Sequence, residues 1–408
     1  MKLLSIAGAR PNFMKLAAIA RAVEEFNQTR TADNGLITHV IVHTGQHYDE
    51  KMSGSFFDEL AIPKPDINLE VGSGSHASQT AEIMRRFEPV LLAEQPDVLL
   101  VVGDVNSTIA CALVAAKMEY PAGSVRKRPI IVHVEAGLRS FDSDMPEEIN
   151  RMLTDTLSDL LFVTEESGVL NLHQEGVKDS KIHFVGNVMI DTLQRHLEKA
   201  RLSDVQQRFA LPERYALVTL HRPSNVDDRA SLEPLLKALH EISTSIPLIF
   251  PIHPRTLKQV ESFGLASLLN WSTYPEEENP QPEATILGST SDIYIVPPLG
   301  YLDFLHLIEK AALVITDSGG IQEETTYLQV PCMTLRKNTE RPVTVSIGSN
   351  YLVGTEPNDI LLTAATIING GAKKFAVPEL WDGRAGARIV DIIHQEYSSD
   401  TRARNSLS

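Results

Sequence analysis

The ten residues ITDSGGIQEE, numbered 315–324, give the clearest local indication of the fold. An apolar run ends at Thr316, a turn with two adjacent glycines follows, and a helical pattern begins. Strand, tight turn and helix in this order are typical of a parallel α/β unit. The glycines let a ligand approach the backbone, and the helix N-terminus offers N–H groups and a positive dipole end to a phosphate. In the alternative interpretation, Asp317 or Ser318 only caps the helix.

The same alternation of strand and helix extends from this segment across the whole chain. Short apolar, β-branched runs occur at 2–7, 37–43, 97–102, 130–134, 160–164 and 182–185, and again at 215–220, 247–252, 293–296, 312–316, 331–335 and 351–353. Runs that are apolar on both faces are typical of parallel strands covered by helices. The pattern predicts an α/β protein with two doubly wound, Rossmann-like domains that face an interdomain cleft.

The predicted domains meet near the charged segment that follows residue 190. Residues 1–190 form the predicted N-terminal domain, and residues 191–383 form the predicted C-terminal domain. A last helix over 384–398 is expected to pack back on the N-terminal domain. The tail beyond Ser398 is expected to fray.

Composition excludes several classes of protein. The 408 residues include 37 Lys and Arg against 53 Asp and Glu, and the net charge of −16 argues against a general nucleic-acid or anionic-membrane binder. Cys111 and Cys332 are too few for a disulfide framework, and the His and acidic residues are too scattered to predict a metal site. No apolar run approaches the roughly 20 residues that span a bilayer. We therefore expect a cytoplasmic protein that does not bind membranes.

Carboxylates follow two predicted strands and begin one predicted helix in the first half of the chain. Asp104 follows Gly103 at a strand end, Glu135 ends another strand, and Glu147 follows Pro146. Ligands of open α/β sheets bind at the carboxyl ends of the strands, so these groups are candidates for an acid or a base. As structural alternatives, Asp104 caps a helix and Glu147 only complements a helix dipole.

Further candidate binding residues surround the predicted phosphate-binding turn. Arg341 lies shortly beyond the next strand, and His221 ends a strand beside Arg222. His221 is a candidate base or phosphate ligand, with a purely structural role as the alternative. Glu324 lies one turn into the helix, where its carboxylate is placed to accept hydrogen bonds from ribose hydroxyls. These residues predict a nucleoside diphosphate as the ligand.

Nine segments resemble the bacterial UDP-N-acetylglucosamine 2-epimerase family, chiefly its non-hydrolysing branch. The resemblance covers roughly residues 1–395 and is carried by GARP at 8–11 with Lys15, TGQH at 44–47, GDVNST at 103–108, HVEAGLR at 133–139, MPEEINR at 145–151, LHRP at 220–223, residues 316–324, TERP at 339–342 and LVGT at 352–355. Each segment is moderately specific, whereas their order and spacing together are highly specific.

The resemblance implies a fold like that of the two-domain glycosyltransferase-B class, with UDP held mostly by the C-terminal domain. It assigns the nucleotide or diphosphate to one set of residues, namely Arg10, His221, Ser318, Gly319, Gly320, Glu324 and Arg341, with Phe304 near the uracil. It assigns the sugar and its chemistry to a second set, namely Lys15, Asp104, Glu135, Glu147 and His221.

The family's reaction inverts C2 of the sugar. UDP leaves C1 while the C2 proton is removed, and the 2-acetamidoglucal intermediate then takes UDP back with reprotonation on the other face. The resemblance implies that no cofactor or metal is required, that the enzyme is a homodimer, and that it serves cell-surface polysaccharide biosynthesis. The alternatives are a hydrolysing 2-epimerase, a 2-epimerase of a UDP-diacetamido-uronic acid, and a UDP-sugar glycosyltransferase.

Some family members bind a second UDP-N-acetylglucosamine as an allosteric activator. Gln46, Gln79 and His253 occupy the matching positions in this chain. Ser78 stands where those members have a basic residue, and Arg255 begins a departure from the more usual residues after His-Pro. These differences weigh against activation by the substrate.

Overall fold

A computed structural model describes residues 1–30, 35–45, 63–124, 126–269 and 293–405, with the backbone alone for residues 10 and 403–405. The chain divides into two compact units: the first comprises Met1–Gln194 and Glu379–Ser408, and the second comprises Arg195–Pro378. Each unit is an α/β structure built on one parallel sheet. The predicted fold class, two Rossmann-like domains, is confirmed.

Within the described residues, the sheet of the first unit has seven strands in the order β3-β2-β1-β4-β5-β6-β7. Their bounds are β1 Lys2–Ala7, β2 Thr38–His43, β3 Ile67–Asn68, β4 Val98–Val102, β5 Ile130–Ala136, β6 Leu160–Val163 and β7 Ile182–Phe184. Strands β4 and β5 are buried along their whole length, which explains why their sequences are apolar without alternation.

In the part of the second unit that the structure describes, the sheet has six strands in the order β10-β9-β8-β11-β12-β13. Their bounds are β8 Ala216–Thr219, β9 Leu248–Pro251, β10 Ile293–Val296, β11 Leu313–Thr316, β12 Cys332–Thr334 and β13 Asn350–Leu352. In both sheets the strand order reverses beside the first strand of the unit, and ligands of doubly wound folds bind at such a switch point.

Helices cover both sheets. Their bounds are α1 Arg10–Gln28, α2 His76–Glu94, α3 Asn106–Lys117, α4 Pro146–Leu157, α5 Glu166–Gln174, α6 Val188–Ala200, α7 Val205–Arg208, α8 Pro223–Val226, α9 Arg229–Ser243, α10 Pro254–Ser262, α11 Tyr301–Lys310, α12 Gly319–Leu328, α13 Pro342–Ser346, α14 Pro357–Ile368 and α15 Ala385–Asn405. Within the described residues, no helix combines the length and the apolar character needed to cross a membrane.

Two details differ from the expectations. Strand β3 was not predicted, because two residues are too short to show a hydrophobic pattern. The expected fraying beyond Ser398 is wrong, because α15 continues to Asn405. An ion pair of 2.5 Å between Arg126 and Asp400 ties this part of the helix to the first unit, and the helix begins where Asp191 accepts N–H bonds from Ala385 and Gly386.

Candidate active site

The turn after strand β4 is shaped by Gly103 and leads into Asp104. Gly103 has a φ of +68°, a left-handed conformation that glycine adopts without steric cost. Its N–H donates to the carbonyl of Val134 on β5 at 3.0 Å. The turn is therefore tied to the neighbouring strand, and the position of Asp104 is defined by the sheet.

The Asp104 carboxylate is 28% exposed and forms an ion pair with Arg151 of α4. Its backbone carbonyl accepts a hydrogen bond of 2.8 Å from Asn150. Helix α3 has Val105 as its N-cap residue. The alternative that Asp104 serves as a helix cap is therefore wrong, and its carboxylate faces a buried cation instead.

Glu135 lies in strained backbone within strand β5. Its φ is +72°, and the pairing register with β6 shifts between Val134 and Ala136. The side chain is buried, with Oε2 paired to Lys15 of α1. Among the described residues, Oε1 has no hydrogen-bond partner. Strain of about 1–3 kcal/mol and an unpartnered buried oxygen are both uncommon, and strain of this kind clusters at functional sites.

The Lys15–Glu135 ion pair lies directly against Gly103. A Cβ at this glycine would be 3.2 Å from Nζ of Lys15 and 3.3 Å from Oε2 of Glu135. Glycine thus provides both the positive φ and the space for the pair. The structure brings Lys15, Glu135 and the turn that carries Asp104 together. Asp104 and Glu135 are candidates from strand ends, whereas Lys15 is a candidate only from the family resemblance.

A pocket of about 310 Å³ in the first unit contains both Asp104 and Glu147. Glu147 lies in the first turn of α4 after Pro146, and within the described part of the chain its carboxylate has no hydrogen bond or ion pair. The remaining lining residues are Ala9, Ser73, Gly74, His76, Gln79, Val105, Asn106 and Asn150. The volume is at the lower end of small-molecule sites.

Four helix N-termini contribute to this pocket. Ala9 is the N-cap of α1, His76 begins α2, Val105 is the N-cap of α3, and Glu147 lies in the first turn of α4. Because each N-terminus carries a partial positive charge, the pocket combines positive dipole ends with two carboxylates. His76 and Asn106, whose side chains lie within 3.3 Å of each other, were not predicted as site residues.

Glu148 and Arg151 form a buried support that the sequence analysis also missed. Glu148 accepts backbone N–H bonds from Ser140 and Phe141 at 2.9–3.0 Å, and its carboxylate pairs with Arg151 at 2.7 Å. Arg151 therefore bridges Glu148 and Asp104. Spacing of i, i+3 between Glu148 and Arg151 in the sequence was the available signal.

In the second unit, Asp317 fixes the turn that carries His221. Its buried carboxylate accepts hydrogen bonds from the backbone N–H groups of His221 and Arg222 at 2.9–3.0 Å and pairs with Nδ1 of His221 at 2.9 Å. Burial alone would raise the pKa of Asp317, but these interactions hold it below its ordinary value. The His221 side chain remains 43% exposed, so its other ring nitrogen can reach a ligand.

The turn from Ser318 to Gly320 begins helix α12 as predicted. Ser318 is the N-cap, without a side-chain capping bond to a described residue. Ser318 is thus the cap by position, but neither its side chain nor that of Asp317, which accepts from His221 and Arg222, makes a capping bond to a described residue of the helix. A Cβ at Gly319 would lie 2.9 Å from Nη1 of Arg341, whereas a Cβ at Gly320 would meet no described atom within 4 Å. The helix N-terminus is therefore open to a ligand beside Arg341.

Arg341 lies between two buried carboxylates. Its guanidinium is 2.7 Å from Glu323 and 2.5 Å from Glu340, and Glu340 also pairs with Arg336 at 2.9 Å. All four side chains are buried. Arg341 is thus held in one orientation next to Gly319, as recognition of a diphosphate by a planar guanidinium requires.

Glu324 is buried on the same helix, where its carboxyl lies beside the hydroxyl of Tyr301. Burial raises its pKa to about 7, the Tyr301 hydroxyl acts in the opposite direction, and the charge of Glu323 adds to the rise. Phe304, on the helix that Tyr301 begins, packs against the core of the second unit. Hydrogen bonds from hydroxyl donors would stabilise the ionised form of this buried carboxyl.

The other predicted site residues are placed as follows. Arg10 begins α1, but its side chain and the whole of Gln46 lie outside the described residues. Gln79 is buried, and its carboxamide donates to the Gly72 carbonyl at 3.1 Å and accepts from Asn106 at 2.7 Å. His253 is the N-cap of α10, and its ring is centred 6.0 Å from the ring of His221. In the described residues, no group of three His, Cys, Asp or Glu could hold a metal ion.

Comparison with known proteins identifies the family. The family model described as UDP-N-acetylglucosamine 2-epimerase matches residues 29–394. The chain belongs to this family. A UDP-N-acetylglucosamine 2-epimerase of Methanocaldococcus jannaschii is 41% identical over 399 residues, which are 96% of this chain and 99% of that protein. A UDP-2,3-diacetamido-2,3-dideoxy-D-glucuronate 2-epimerase of Pseudomonas aeruginosa is 39% identical and covers 96% of this chain and 99% of its own.

Solved structures of the epimerase family agree with this fold. The crystal structure of the M. jannaschii enzyme in complex with UDP-GlcNAc and UDP has a TM-score of 0.80 and covers 97% of this chain and 100% of its own, at 41% identity. The epimerase of Neisseria meningitidis bound to UDP-GlcNAc has a TM-score of 0.77 at 26% identity, with 97% and 100% covered. This chain is therefore an epimerase-family protein along nearly its whole length.

Proposed function

We propose that the protein catalyses reversible C2 epimerisation of UDP-N-acetylglucosamine to UDP-N-acetylmannosamine. In the forward direction the C2 proton is lost, the C1–O bond breaks, and UDP leaves with the bonding electrons. The electrons of the C2–H bond form the double bond of a 2-acetamidoglucal. Return of UDP to C1 and of a proton to the opposite face of C2 completes the inversion without net oxidation or reduction, so the proposal needs no cofactor.

The observation that carries this proposal is the arrangement of Asp104, Glu135 and Lys15 around Gly103. Removal of a non-acidic C2 proton requires a positioned base and protonation of the opposite face requires an acid. Glu135 offers an unpartnered carboxylate oxygen, and Asp104 opens into the pocket that Glu147 also lines. Lys15 supplies a cation beside Glu135, which can stabilise charge that develops in the reaction.

The second unit supplies the proposed UDP site. Departure of UDP places negative charge on the diphosphate, and the helix N-terminus at Ser318–Gly320 together with Arg341 and His221 would stabilise it. Glu324 would accept from the ribose hydroxyls, Phe304 would contact the uracil, and Arg10 would assist at the diphosphate. The M. jannaschii and N. meningitidis relatives bind UDP-GlcNAc, which supports this choice of nucleotide sugar.

Incubation with UDP-N-acetylglucosamine in D₂O tests the proposal by NMR. We expect UDP-N-acetylmannosamine and remaining UDP-N-acetylglucosamine, both with deuterium at C2, and little free sugar. Accumulation of UDP with free N-acetylmannosamine would instead establish the hydrolysing reaction. Bound substrate without any exchange at C2 would overturn the epimerase assignment for this sugar.

A UDP-diacetamido-uronic acid is the second candidate substrate. The Pseudomonas relative named for that substrate matches this chain at 39% identity, against 41% for the M. jannaschii enzyme. The same deuterium experiment with both nucleotide sugars distinguishes the candidates, because the true substrate should show the larger kcat/KM for C2 exchange. We also propose a cytoplasmic location and a role in cell-surface polysaccharide biosynthesis.

We further propose that the protein is a homodimer that associates through helix α4. The polar face of this helix is the buried one. It carries Asn150, Arg151, Thr154 and Asp155. Its opposite face exposes Ile149, Met152 and Leu153 by 47–50%. An exposed apolar helix face of this kind is typical of a protein–protein contact. The helix cannot rotate to bury this face within the subunit, because Arg151 and Asp155 on the other face form buried ion pairs.

Replacement of Leu153 by arginine should weaken this dimer at least tenfold. The charge would be buried without a partner in an apolar contact, whereas the folded subunit would tolerate it on an exposed surface. Light scattering coupled to size-exclusion chromatography measures the change. Leu202→Arg, at a residue that is 84% exposed in the second unit, is the matched control and should leave the mass unchanged. A monomeric wild type, or an unaffected dimer of the Leu153 variant, would contradict the proposal.

A further inference from the structure

The carboxylate of Asp155 holds the chain on both sides of Glu135. Its Oδ1 bonds Nδ1 of His133 at 2.6 Å, and its Oδ2 accepts the backbone N–H of Gly137 at 3.1 Å. His133 and Gly137 flank Glu135, the residue with the left-handed φ of +72°. One buried carboxylate therefore fixes the segment whose strain directs the Glu135 side chain.

His133 extends this support to the turn that carries Asp104. Its imidazole is fully buried, and Nε2 lies 2.8 Å from the carbonyl oxygen of Gly103. The N–H of Gly103 donates to Val134, so both polar groups of this glycine are bound to strand β5. His133 is thereby the connection between the turn before Asp104 and the strand that contains Glu135.

The hydrogen-bond partners of His133 determine which of its ring nitrogens carry a proton. A backbone carbonyl and an ionised carboxylate can only accept, so both ring nitrogens must donate and the ring must be an imidazolium. Although burial opposes ionisation of Asp155, the charges of His133 and Arg139 hold the pKa of Asp155 below its ordinary value. The carboxylate therefore remains ionised and keeps its cationic partner.

The charged groups around His133 balance each other. Arg139, from the loop after β5, pairs with Asp155 at 2.7 Å and with Glu175, from the end of α5, at 2.7 Å. On its own strand, His133 precedes Glu135, whose carboxylate pairs with Lys15 of α1. Two carboxylates, Asp155 and Glu175, thus accompany His133 and Arg139.

We propose that His133 and Asp155 are a positioning pair that holds Glu135 and Asp104 in their reactive arrangement. Neither residue takes a proton from the sugar. The pair fixes the backbone on either side of Glu135 and the carbonyl before Asp104, and the imidazolium is the charged partner of Asp155 in this support. This inference rests on the proposed epimerase function and adds two residues to it.

Asp155→Asn tests the charge of the pair separately from its backbone contact. The one oxygen of the asparagine can still accept from the N–H of Gly137, where Oδ2 of the aspartate does so in wild type. The asparagine NH₂ group then faces Nδ1 of His133, so Nδ1 must accept and the ring must be neutral. We expect kcat for C2 exchange to fall about tenfold, with KM and UDP affinity within twofold of wild type. Asp155→Ala, which removes both contacts, should lower kcat about a hundredfold.

Two readouts distinguish positioning by charge from simple stabilisation. A lower kcat in Asp155→Asn, with KM and UDP affinity within twofold of wild type, would not follow from a loss of stability alone. Nitrogen-15 NMR of labelled histidine should show both ring nitrogens of His133 protonated in wild type, but one unprotonated in the variant. The second measurement needs no substrate.

An exposed pair provides the matched control. Nε2 of His173 lies 2.9 Å from Asp179 on the surface of the same unit, and Asp179→Asn should leave every readout unchanged. A neutral His133 in wild type or an unchanged kcat in Asp155→Asn would each overturn the positioning proposal. Lack of C2 exchange in wild type would overturn the proposed function instead, while the NMR result still tests the imidazolium.

Discussion

Replacement of Glu135 by glutamine, or of Asp104 by asparagine, should lower conversion of one epimer into the other at least a thousandfold while UDP binding changes less than threefold. A positioned acid or base contributes roughly 10²–10⁴ in rate, and either amide keeps the shape but cannot accept the proton. The Glu135 variant would retain an oxygen to face Lys15, so its fold should persist. Deuterium incorporation at C2 and isothermal titration with UDP measure the two effects.

The direction of the reaction can assign each carboxylate to one face of the sugar. If Glu135 removes the proton from one epimer, its glutamine variant should fail to form the glucal from that epimer but should still form it from the other. The Asp104→Asn variant should show the reverse preference. Glu88→Gln, an exposed acid on helix α2, is the control. Near-normal exchange in both site variants would mean that these carboxylates do not carry the reaction.

The strands of this protein could be predicted closely because each is buried on both faces. Strand β11 was predicted over 312–316 and spans Leu313–Thr316, and helix α4 was predicted from 147 and starts at Pro146. Continuous apolar runs and proline at the first helical position are local signals. The two-residue strand β3 carries no such signal, since its pairing depends on β2 rather than on its own sequence.

Candidate site residues could be predicted from the sequence where a carboxylate lies at the end of a strand, as it does in Asp104 and Glu135. The residues that support these carboxylates were not, because Arg151 and Asp155 lie on a helical pattern that resembles an ordinary amphipathic surface helix. Periodicity shows that α4 has a polar and an apolar face, but it does not state which face is buried. In this helix the polar face is the buried one, and only the tertiary structure reveals it.

Glu324→Gln should make the unliganded protein more stable at pH 8 and weaken UDP binding at least tenfold. The folded-state pKa of Glu324 is raised from 4.5 to about 7, first because the carboxyl is buried. Its contribution to stability is therefore fully present below pH 4.5 and is lost as the pH rises through 7. Glutamine does not titrate, so it avoids a cost of up to about 3 kcal/mol at pH 8.

The pH dependence separates this effect from a change in packing. Wild type and Glu324→Gln should unfold with similar free energies at pH 4, and they should diverge as the pH increases through 7. Thermal unfolding at pH 8 should show a Tm higher by at least about 5 °C in the variant. Glu241→Gln, at an exposed position on helix α9, is the control and should change neither Tm nor UDP affinity.

UDP should narrow the difference in stability between the two proteins, by about 1.4 kcal/mol for each tenfold difference in their UDP affinities. Hydroxyl donors of the ribose would satisfy the buried carboxylate, so saturating UDP should stabilise wild type more than the variant. Equal UDP affinities of wild type and Glu324→Gln would show that Glu324 does not bind the nucleotide. A variant that is less stable than wild type at pH 8 would show that burial of this carboxyl carries no net cost. We expect the variant to be more stable but to bind UDP more weakly. This combination would show that Glu324 lowers the stability of the unliganded protein and contributes to ligand binding.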